Sequence, residues 1–362
     1  MNVVFAAGGT GGHLYPAIAL AREFLRVEPA SRVLFVGTTR GLEAKVLAHE
    51  GLPLSLMTAK PFMGVGLRRA LLALAALPCG VGQCLAILKR HRAQLVVGIG
   101  GYTSPPVLLA AWLRRIPRVV LEPNAYPGLA NRALGPLAQR VFLAFEAAAQ
   151  GFAAKKVRVV GTPIRASFLE RAGRTASGPT TTPSLLVFGG SQGARPINSA
   201  MVDALPTLKE PAREWAITHQ TGEADHPRVK AAYEAAGVRA QVVPFIYDMP
   251  TALRQADLVV ARAGAMTMAE LSACGKPAIL VPLPTAIYNH QEHNARAMER
   301  AGGAVVLRQG ELTGAGLALT IIDLLGDRSR LDAMGRGSAT LGRTDAATAV
   351  VRECLKLVRR KE

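Results

Sequence analysis

The chain has 362 residues, a length that fits two domains of ordinary size, and half of its residues are hydrophobic. This composition supports a packed core and excludes a disordered chain. The formal net charge of +18 is uneven, because residues 1–163 carry +13, residues 164–341 carry +2 and residues 342–362 carry +3. A basic first half indicates an anionic partner, such as a nucleic acid, acidic lipid headgroups or a phosphorylated substrate. A general basic drift of the proteome is the alternative.

The four cysteines form no C-x-x-C pair, and no Cys/His cluster has the spacing of zinc ligands. We therefore expect a reduced, cytosolic protein without a structural metal. We also expect no metal or other cofactor in its site. The N-terminus runs directly into an apolar strand and does not resemble a signal peptide. No uninterrupted apolar run reaches the ~18 residues that a membrane span needs.

Short runs rich in Val, Ile and Leu alternate with helical segments along the whole chain. Such runs are typical of strands that are buried on both faces of a parallel sheet, and the alternation predicts an α/β fold. In chain order, the strands predicted in the first half are 3–7, 33–36, 95–99, 119–122, 141–144 and 157–160. Those predicted in the second half are 185–188, 215–219, 242–245, 258–261, 278–281 and 304–307.

One pattern of strand, glycine-rich loop and helix occurs twice in the chain. The first strand leads into GGTGGH at 8–13, the strand at 185–188 leads into GGSQGA at 189–194, and a predicted helix follows each loop. This pattern predicts two Rossmann-like domains, each opened by a strand, a glycine-rich loop and a helix. We place the boundary between 163 and 164, expect a linker-like stretch at 175–183, and expect 342–362 to pack back onto the first domain.

The loop at 8–13 has the most specific local sequence pattern for a ligand-binding site. Its glycines let the backbone approach a bulky ligand, and the amides of the following helix could face an anion. It is not a dinucleotide fingerprint, because the next strand ends without a carboxylate, and it lacks the Lys-Ser/Thr of a P-loop. His13 lies where active sites of such folds lie and is a candidate general base. The alternatives are a packing turn and a helix-capping histidine.

Two other strand ends in the first half carry polar or glycine-rich sequence, and GTPIR at 161–165 lies at the hinge between the two predicted domains. GIGGYTS at 98–104 is a second glycine turn, which could be only a turn. Glu122 and Asn124 place a carboxylate and an amide at the carboxyl edge of the sheet, where Asn124 could bind a sugar hydroxyl. Arg165 can pair with phosphate oxygens, or it is an ordinary surface arginine.

The second half offers a nucleotide-diphosphate site. The loop at 189–194 supplies backbone amides and the Ser191 hydroxyl. A helix predicted to begin near Ala265 would bind an anion at its N-terminus without a metal, and Glu270 could accept hydrogen bonds from ribose hydroxyls. Amides and imidazoles in NHQEHNA at 289–295 suit sugar hydroxyls, and they lack a carboxylate or Cys partner for a metal. A solvated helix residue is the alternative for Glu270.

Seven motifs occur in a characteristic order and spacing: GGTGGH, GIGGYTS, GTPIR, GGSQGAR, FIYDM, ARAGAMTMAE and NHQEHNA. Over nearly the whole chain they resemble the bacterial UDP-N-acetylglucosamine–N-acetylmuramyl-(pentapeptide) pyrophosphoryl-undecaprenol N-acetylglucosaminyltransferases. The resemblance implies a GT-B glycosyltransferase with two Rossmann-like domains facing each other across a cleft. It also implies inverting, metal-independent transfer of GlcNAc from UDP-GlcNAc to lipid I, which gives lipid II.

The resemblance also implies roles for individual residues. The backbone of Ile246 would read uracil, Glu270 would hold the ribose, and the diphosphate would be surrounded by Ser191, Ala265, Met266 and Thr267. His290 and Gln291 would bind the GlcNAc hydroxyls, and the site would be completed by Thr10, Gly11, Gly12, His13, Asn124 and Arg165. His13 is the first choice for the general base, and Glu122 is the reserve.

The sequence departs from the family at Leu121, Pro123, Ala263 and 60–66.

The expected partners are UDP-GlcNAc, lipid I and the anionic cytoplasmic face of the bacterial plasma membrane, to which the protein would bind peripherally. No nucleic acid is expected as a partner. The mixed basic and apolar segment at 67–74 is typical of interfacial segments, or it is a core helix with a basic rim.

Two other functions remain open at this point. A UDP-GlcNAc 2-epimerase shares the two-domain architecture but needs no lipid acceptor. A basic nucleic-acid-binding protein would explain the charge, although the chain lacks basic–aromatic interleaving and a recognisable reading helix.

Overall fold

The computed structural model describes residues 1–8, 11–38, 43–59, 66–169 and 182–359; for 66–74 and 287 it describes the backbone alone. The chain divides into two compact units. Unit 1 comprises Met1–Arg165 with Arg343–Glu362, and unit 2 comprises Ala166–Gly342. Thr10, the segment 60–65 and most of the predicted linker, 175–181, lie outside the described residues.

Unit 1 is built on a seven-stranded parallel sheet in the order β3-β2-β1-β4-β5-β6-β7. Its strands are β1 (Asn2–Ala6), β2 (Arg32–Gly37), β3 (Leu54–Leu56), β4 (Leu95–Gly98), β5 (Arg118–Glu122), β6 (Arg140–Leu143) and β7 (Val157–Val159). Its helices before the boundary are α1 (Gly11–Val27), α2 (Glu43–His49), α3 (Gly66–Arg90), α4 (Ser104–Leu113) and α5 (Leu129–Leu134).

Unit 2 is built on a six-stranded parallel sheet in the order β10-β9-β8-β11-β12-β13. Its strands are β8 (Ser184–Phe188), β9 (Ala216–Gln220), β10 (Gln241–Val243), β11 (Leu258–Ala261), β12 (Ala278–Leu280) and β13 (Ala304–Val306). Its helices are α6 (Ala166–Leu169), α7 (Arg195–Leu208), α8 (His226–Ala236), α9 (Met249–Gln255), α10 (Ala265–Cys274), α11 (His290–Arg300), α12 (Gly314–Gly326) and α13 (Arg328–Thr340).

The last helix, α14 (Ala346–Arg359), belongs to unit 1 and packs beside α1. Its apolar side joins the core on that face of the sheet through Val350, Val351 and Cys354, which are buried together with Phe5 and Leu20. The Thr348 hydroxyl donates a hydrogen bond to the Glu23 carboxylate of α1. The chain therefore closes unit 1 with its final helix, after unit 2 is complete.

The parallel sheets explain the sequence pattern. Strands such as β1, β4 and β11 are almost entirely buried, so their residues are apolar without alternation. The predicted α/β class with two Rossmann-like parallel sheets is confirmed. In the described part of the chain, no helix has the length and apolar character that crossing a membrane requires.

Candidate active site

The loops that follow β1, β4 and β5 meet at the carboxyl edge of the sheet in unit 1, because these strands are parallel neighbours. Helix α1 begins with Gly11 and Gly12, and His13 lies half-buried in its first turn. After β4, Gly100 and Gly101 have φ angles of +107° and +70°, which favour glycine. A Cβ on Gly100 would lie 3.3 Å from His13 Nε2 and 3.1 Å from Asn131 Nδ2. The glycine turn thus makes room for both side chains.

Glu122 organises the loop after β5. Its side chain is 1% exposed, and Oε1 accepts hydrogen bonds from the backbone and side-chain nitrogens of Asn124, both at 3.0 Å. Oε2 accepts from the Gly128 N–H and from Asn131 Nδ2, both at 2.9 Å. Burial raises the pKa of Glu122, and these hydrogen bonds oppose that shift. Because both oxygens are engaged, the geometry favours a role in holding the loop over proton transfer.

Two further side chains lie beside Gly8 and Tyr15 of unit 1. Glu43, the first residue of α2, is fully buried, and a Cβ on Gly8 would overlap its carboxylate. The Arg165 guanidinium lies over the Tyr15 ring of α1, 5.6 Å from the ring centroid, within cation–π range. Arg165 is therefore held against the helix that carries His13.

The loop after β8 in unit 2 is a tight glycine turn. Gly193 N donates to Gly190 O at 2.9 Å, and the two residues have φ angles of +72° and +93°. Ser191 is exposed in this loop. A Cβ on Gly193 would overlap the Thr221 carbonyl, so the loop packs directly against the backbone that follows β9.

Helix α10 presents its N-terminus at the carboxyl edge of unit 2. Gly264 is the capping residue, with φ −65° and ψ 150°, and it supplies no side-chain acceptor. The first-turn amides, those of Ala265, Met266 and Thr267, have no acceptor within the helix. Together with the helix dipole, they suit an anionic group such as a diphosphate.

Buried side chains fix the start of α10 to its surroundings. Arg262 is 7% exposed, and its Nη1 donates to the Val281 and Pro282 carbonyls at 3.0 and 3.1 Å. Burial lowers the pKa of Arg262. Asn294 of α11 is fully buried, and its Nδ2 donates to the Ala263 carbonyl at 3.1 Å. The turn before α10 is thereby tied to the loop after β12 and to α11.

Helix α11 places His290 and Gln291 at its start. Gln291 Oε1 accepts from the Leu283 N–H at 3.0 Å, which orients the carboxamide. Tyr288 and Asn289 precede the helix in the left-handed region, both with φ 53°, a conformation that asparagine tolerates but that is costly for tyrosine. Strain of this kind is common where a loop must deliver side chains to a ligand.

Two other predicted donor residues lie in unit 2. Glu270 is half-buried on α10, about one turn after Thr267. Ile246 is half-buried, lies shortly after β10, and lines a cavity of about 380 Å³ together with Val243 and Thr251. Among the described residues, no group of three or more His, Cys, Asp or Glu side chains is arranged to hold a metal ion.

The structure brings several of the predicted residues together within each unit. His13 and Asn124 share the carboxyl edge of unit 1, where Glu122 and Asn131 connect their loops. In unit 2 the first-turn amides of α10 lie close in space to the start of α11. Asn131 could not be found from the sequence, because an isolated asparagine on a helix carries no local signal. Asn294 lies within the predicted NHQEHNA motif, but its buried hydrogen bond to the Ala263 carbonyl depends on tertiary packing.

Two family models match the chain: the glycosyltransferase family 28 N-terminal domain over residues 3–143, and the C-terminal domain of the same family over residues 184–350. A protein of Anaeromyxobacter sp. (strain K) is 47% identical over 361 residues, which cover 100% of this chain and 94% of that protein. It is named UDP-N-acetylglucosamine–N-acetylmuramyl-(pentapeptide) pyrophosphoryl-undecaprenol N-acetylglucosamine transferase.

Solved structures agree with this relationship. The crystal structure of Acinetobacter baumannii MurG has a TM-score of 0.80 and 30% identity, with 98% of this chain and 99% of that chain covered. The UDP-GlcNAc 2-epimerase of Neisseria meningitidis, bound to UDP-GlcNAc, has a TM-score of 0.69 at 15% identity, with coverage of 98% and 100%, and therefore shows a shared fold alone. From the full-length identity and both domain matches, we conclude that this chain belongs to glycosyltransferase family 28, among the UDP-N-acetylglucosamine–N-acetylmuramyl-(pentapeptide) pyrophosphoryl-undecaprenol N-acetylglucosamine transferases.

Proposed function

We propose that this chain transfers GlcNAc from UDP-GlcNAc to the MurNAc 4-hydroxyl of undecaprenyl-pyrophosphoryl-MurNAc-pentapeptide, converting lipid I to lipid II with inversion at C1. The observation that carries the proposal is 47% identity over the full chain to a protein named for this transfer. The polar groups at the carboxyl edges of the two units support it, because they supply the chemistry that such a transfer needs.

On the donor side, unit 2 binds the nucleotide sugar. The amides of Ala265, Met266 and Thr267 accommodate the diphosphate, and negative charge that develops on the departing UDP is stabilised at this helix N-terminus. Glu270 holds the ribose, and the backbone of Ile246 reads the uracil. These assignments rest on the motif correspondence together with the placement of each residue at one edge of the sheet.

The remaining donor contacts come from polar side chains near the same edge. The Ser191 hydroxyl binds the diphosphate from the loop after β8, and His290 and Gln291 bind the GlcNAc hydroxyls. The Leu283 N–H already holds Gln291 Oε1, so the carboxamide can offer its nitrogen to a sugar oxygen.

On the acceptor side, unit 1 supplies the base. His13 takes the proton of the attacking hydroxyl, since a neutral imidazole in a half-buried position is suited to this step. Glu122 acts by holding Asn124 and Asn131, because both of its oxygens already accept hydrogen bonds. This part of the site is completed by Arg165 and by the first loop, through Thr10, Gly11 and Gly12.

The decisive experiment measures UDP release from UDP-GlcNAc in EDTA, with and without a lipid I analogue. Release that depends on the analogue and survives EDTA supports metal-independent transfer. Formation of UDP-ManNAc without an acceptor would instead favour the hypothesis that the chain is a UDP-GlcNAc 2-epimerase. If neither product forms and the chain binds DNA at sub-micromolar affinity with a steep salt dependence, the nucleic-acid alternative gains support.

We further propose that the protein acts at the anionic cytoplasmic face of the plasma membrane as a peripheral protein that binds no nucleic acid. The charge of +13 over residues 1–163 supports this location, because anionic headgroups attract basic surfaces. The segment 67–74 contributes basic and apolar residues. Vesicle flotation tests the proposal: the chain should float with anionic vesicles at low salt and stay at the bottom with zwitterionic ones. Equal recovery with both would contradict it.

A further inference from the structure

A chain of buried hydrogen bonds lies behind the Ser191 loop in unit 2. His219, near the end of β9, is fully buried, and its Nδ1 lies 3.2 Å from the Tyr233 hydroxyl of α8. Its Nε2 lies 3.1 Å from Asn198 Oδ1, in the first turns of α7. Tyr233 and Asn198 are 2% and 1% exposed, so water cannot readily replace these partners.

The chemistry of the groups fixes the direction of every bond in this chain. Asn198 Nδ2 donates to the Thr221 carbonyl at 2.9 Å and to the Asp225 carboxylate at 2.8 Å, so its Oδ1 faces His219. Because an amide oxygen can only accept, His219 must carry its proton on Nε2, and Nδ1 then accepts from the Tyr233 hydroxyl. The arrangement leaves one orientation for the Asn198 amide.

The far end of this chain is the backbone that supports the donor loop. A Cβ on Gly193 would overlap the Thr221 carbonyl, and a Cβ on Gly222 would overlap the Gln192 carbonyl. The two glycines have φ angles of +72° and +81°, so the two turns meet backbone to backbone with no side chain between them. A displacement of the Thr221 carbonyl therefore displaces the loop that carries Ser191.

The same turn also borders the segment that leads to Ile246. Thr221 N donates to the Val243 carbonyl at 3.0 Å, and Gly222 N donates to the Pro244 carbonyl at 3.1 Å. The turn after β9 thus lies between two loops that the proposed function assigns to the diphosphate and to the uracil. One buried anchor can therefore position both.

We infer that His219 is a positioning residue for the nucleotide-sugar donor: through Asn198 it fixes the Thr221–Gly222 turn and, with it, the loops that carry Ser191 and Ile246. This inference rests on the proposed function and extends it to a residue that does not touch the substrate. Asp225 supports the same amide from the other side, and Arg228 holds Asp225 with two hydrogen bonds of 2.7 and 2.8 Å.

The test compares two substitutions of His219 by donor kinetics. His219→Phe leaves Asn198 Oδ1 and the Tyr233 hydroxyl without their partner, and we expect the KM for UDP-GlcNAc to rise about tenfold, the effect of losing one well-placed polar interaction. The kcat at saturating donor and the KM for the lipid I analogue should change little. His219→Gln should restore most of the donor KM, because its carboxamide carries an acceptor and a donor to replace the two ring nitrogens.

A matched control separates positioning from loss of stability. Leu208 is fully buried at the opposite end of α7, so Leu208→Ala destabilises unit 2 without touching the turn after β9. If Leu208→Ala raises the donor KM as much as His219→Phe does, or if His219→Phe leaves that KM unchanged, the inference is overturned. Should His219→Phe fail to fold, Tyr233→Phe removes only the hydroxyl and should raise the donor KM by about twofold to threefold. An unchanged KM there would also overturn the inference.

Direct titration with UDP distinguishes failure of the His219 inference from failure of the proposed function. Wild-type chain that binds UDP while His219→Phe binds it about tenfold more weakly supports the inference even if the acceptor has been assigned wrongly. Wild-type and variant chains that bind UDP equally well overturn the inference and leave the proposed transfer standing. Wild-type chain that neither binds UDP nor releases it from UDP-GlcNAc overturns both.

Discussion

Acidification should destabilise unit 2 through His219. Burial lowers the pKa of His219 to about 4, against about 6.5 for an exposed imidazole. The folded unit therefore keeps the ring neutral, whereas the unfolded chain takes up a proton below pH 6.5. The stability that depends on the neutral ring is fully present above pH 6.5 and is lost as the pH falls from there towards 4. By proton linkage, about 2 kcal/mol of the free energy of unfolding is lost at pH 5, out of about 3 kcal/mol below pH 4.

The groups around the ring keep this calculation simple between pH 7 and pH 5. The Arg228 guanidinium and its hydrogen bonds lower the pKa of Asp225 to about 2, so this carboxylate stays ionised throughout that range. Burial raises the pKa of the Tyr233 hydroxyl, which stays protonated. Among the groups of this network, His219 alone changes its charge in that interval.

The two tryptophans of the chain allow the measurement. Trp112 lies in unit 1, and Trp215 packs against the core of unit 2. In a Trp112→Phe background, urea unfolding followed by Trp215 fluorescence reports unit 2 and should show the loss of about 2 kcal/mol between pH 7 and pH 5. The matched variant His219→Gln has no titratable ring at this position. Its free energy of unfolding should therefore fall by about 2 kcal/mol less than that of the parent protein between pH 7 and pH 5. Equal losses in the two proteins would refute the assignment to His219.

Three further predictions concern the loops at the two sheet edges. Glu122→Ala leaves four hydrogen-bond donors without their acceptor, so the free energy of unfolding of unit 1 should fall by about 2 kcal/mol, measured with the tryptophan of that unit; an unchanged value would contradict the buried network. His13→Ala should lower kcat about 10²- to 10⁴-fold and leave UDP binding intact, and a loss confined to binding would argue against the base. Gly193→Ala should raise the donor KM far more than Gly190→Ala: both positions have positive φ, but only Gly193 faces the Thr221 carbonyl, while open space surrounds Gly190. Equal effects would mean that backbone strain, not the close contact, matters.

Most of the fold could be predicted from the sequence, because buried parallel strands form short apolar runs that are easy to recognise. The exception is β3, Leu54–Leu56, which is absent from the strands predicted from the sequence. It is a three-residue strand at the edge of its sheet, and Leu56 is 51% exposed. An edge strand this short buries too few side chains to produce a clear apolar run.

The glycine loops of the site could also be located, since a glycine after a buried strand marks a turn at the carboxyl edge. Their supporting residues could not be found in this way. Asn131 meets Glu122 only because α5 folds back over the end of β5, and His219 meets Asn198 only because β9 and α7 pack together. These contacts depend on tertiary packing, which a pattern of neighbouring residues does not encode. For Glu122, the hydrogen bonds to both carboxylate oxygens favour a role in holding its loop, and its role as the reserve base stays a prediction.

The two units support their loops with groups that respond to pH in opposite directions. In unit 1, burial raises the pKa of Glu122, so folding favours its protonated form. The contribution of this carboxyl group to the free energy of unfolding is therefore complete below pH 4.5. It is lost as the pH rises through the pKa of the folded state. In unit 2, acid acts against folding at His219. His91 of unit 1, whose pKa burial also lowers, is only half-buried and contributes less. Lowering the pH from 7 to 5 should therefore reduce the urea midpoint reported by Trp215 more than the one reported by Trp112, so that acid releases the donor loops while the fold that carries His13 persists.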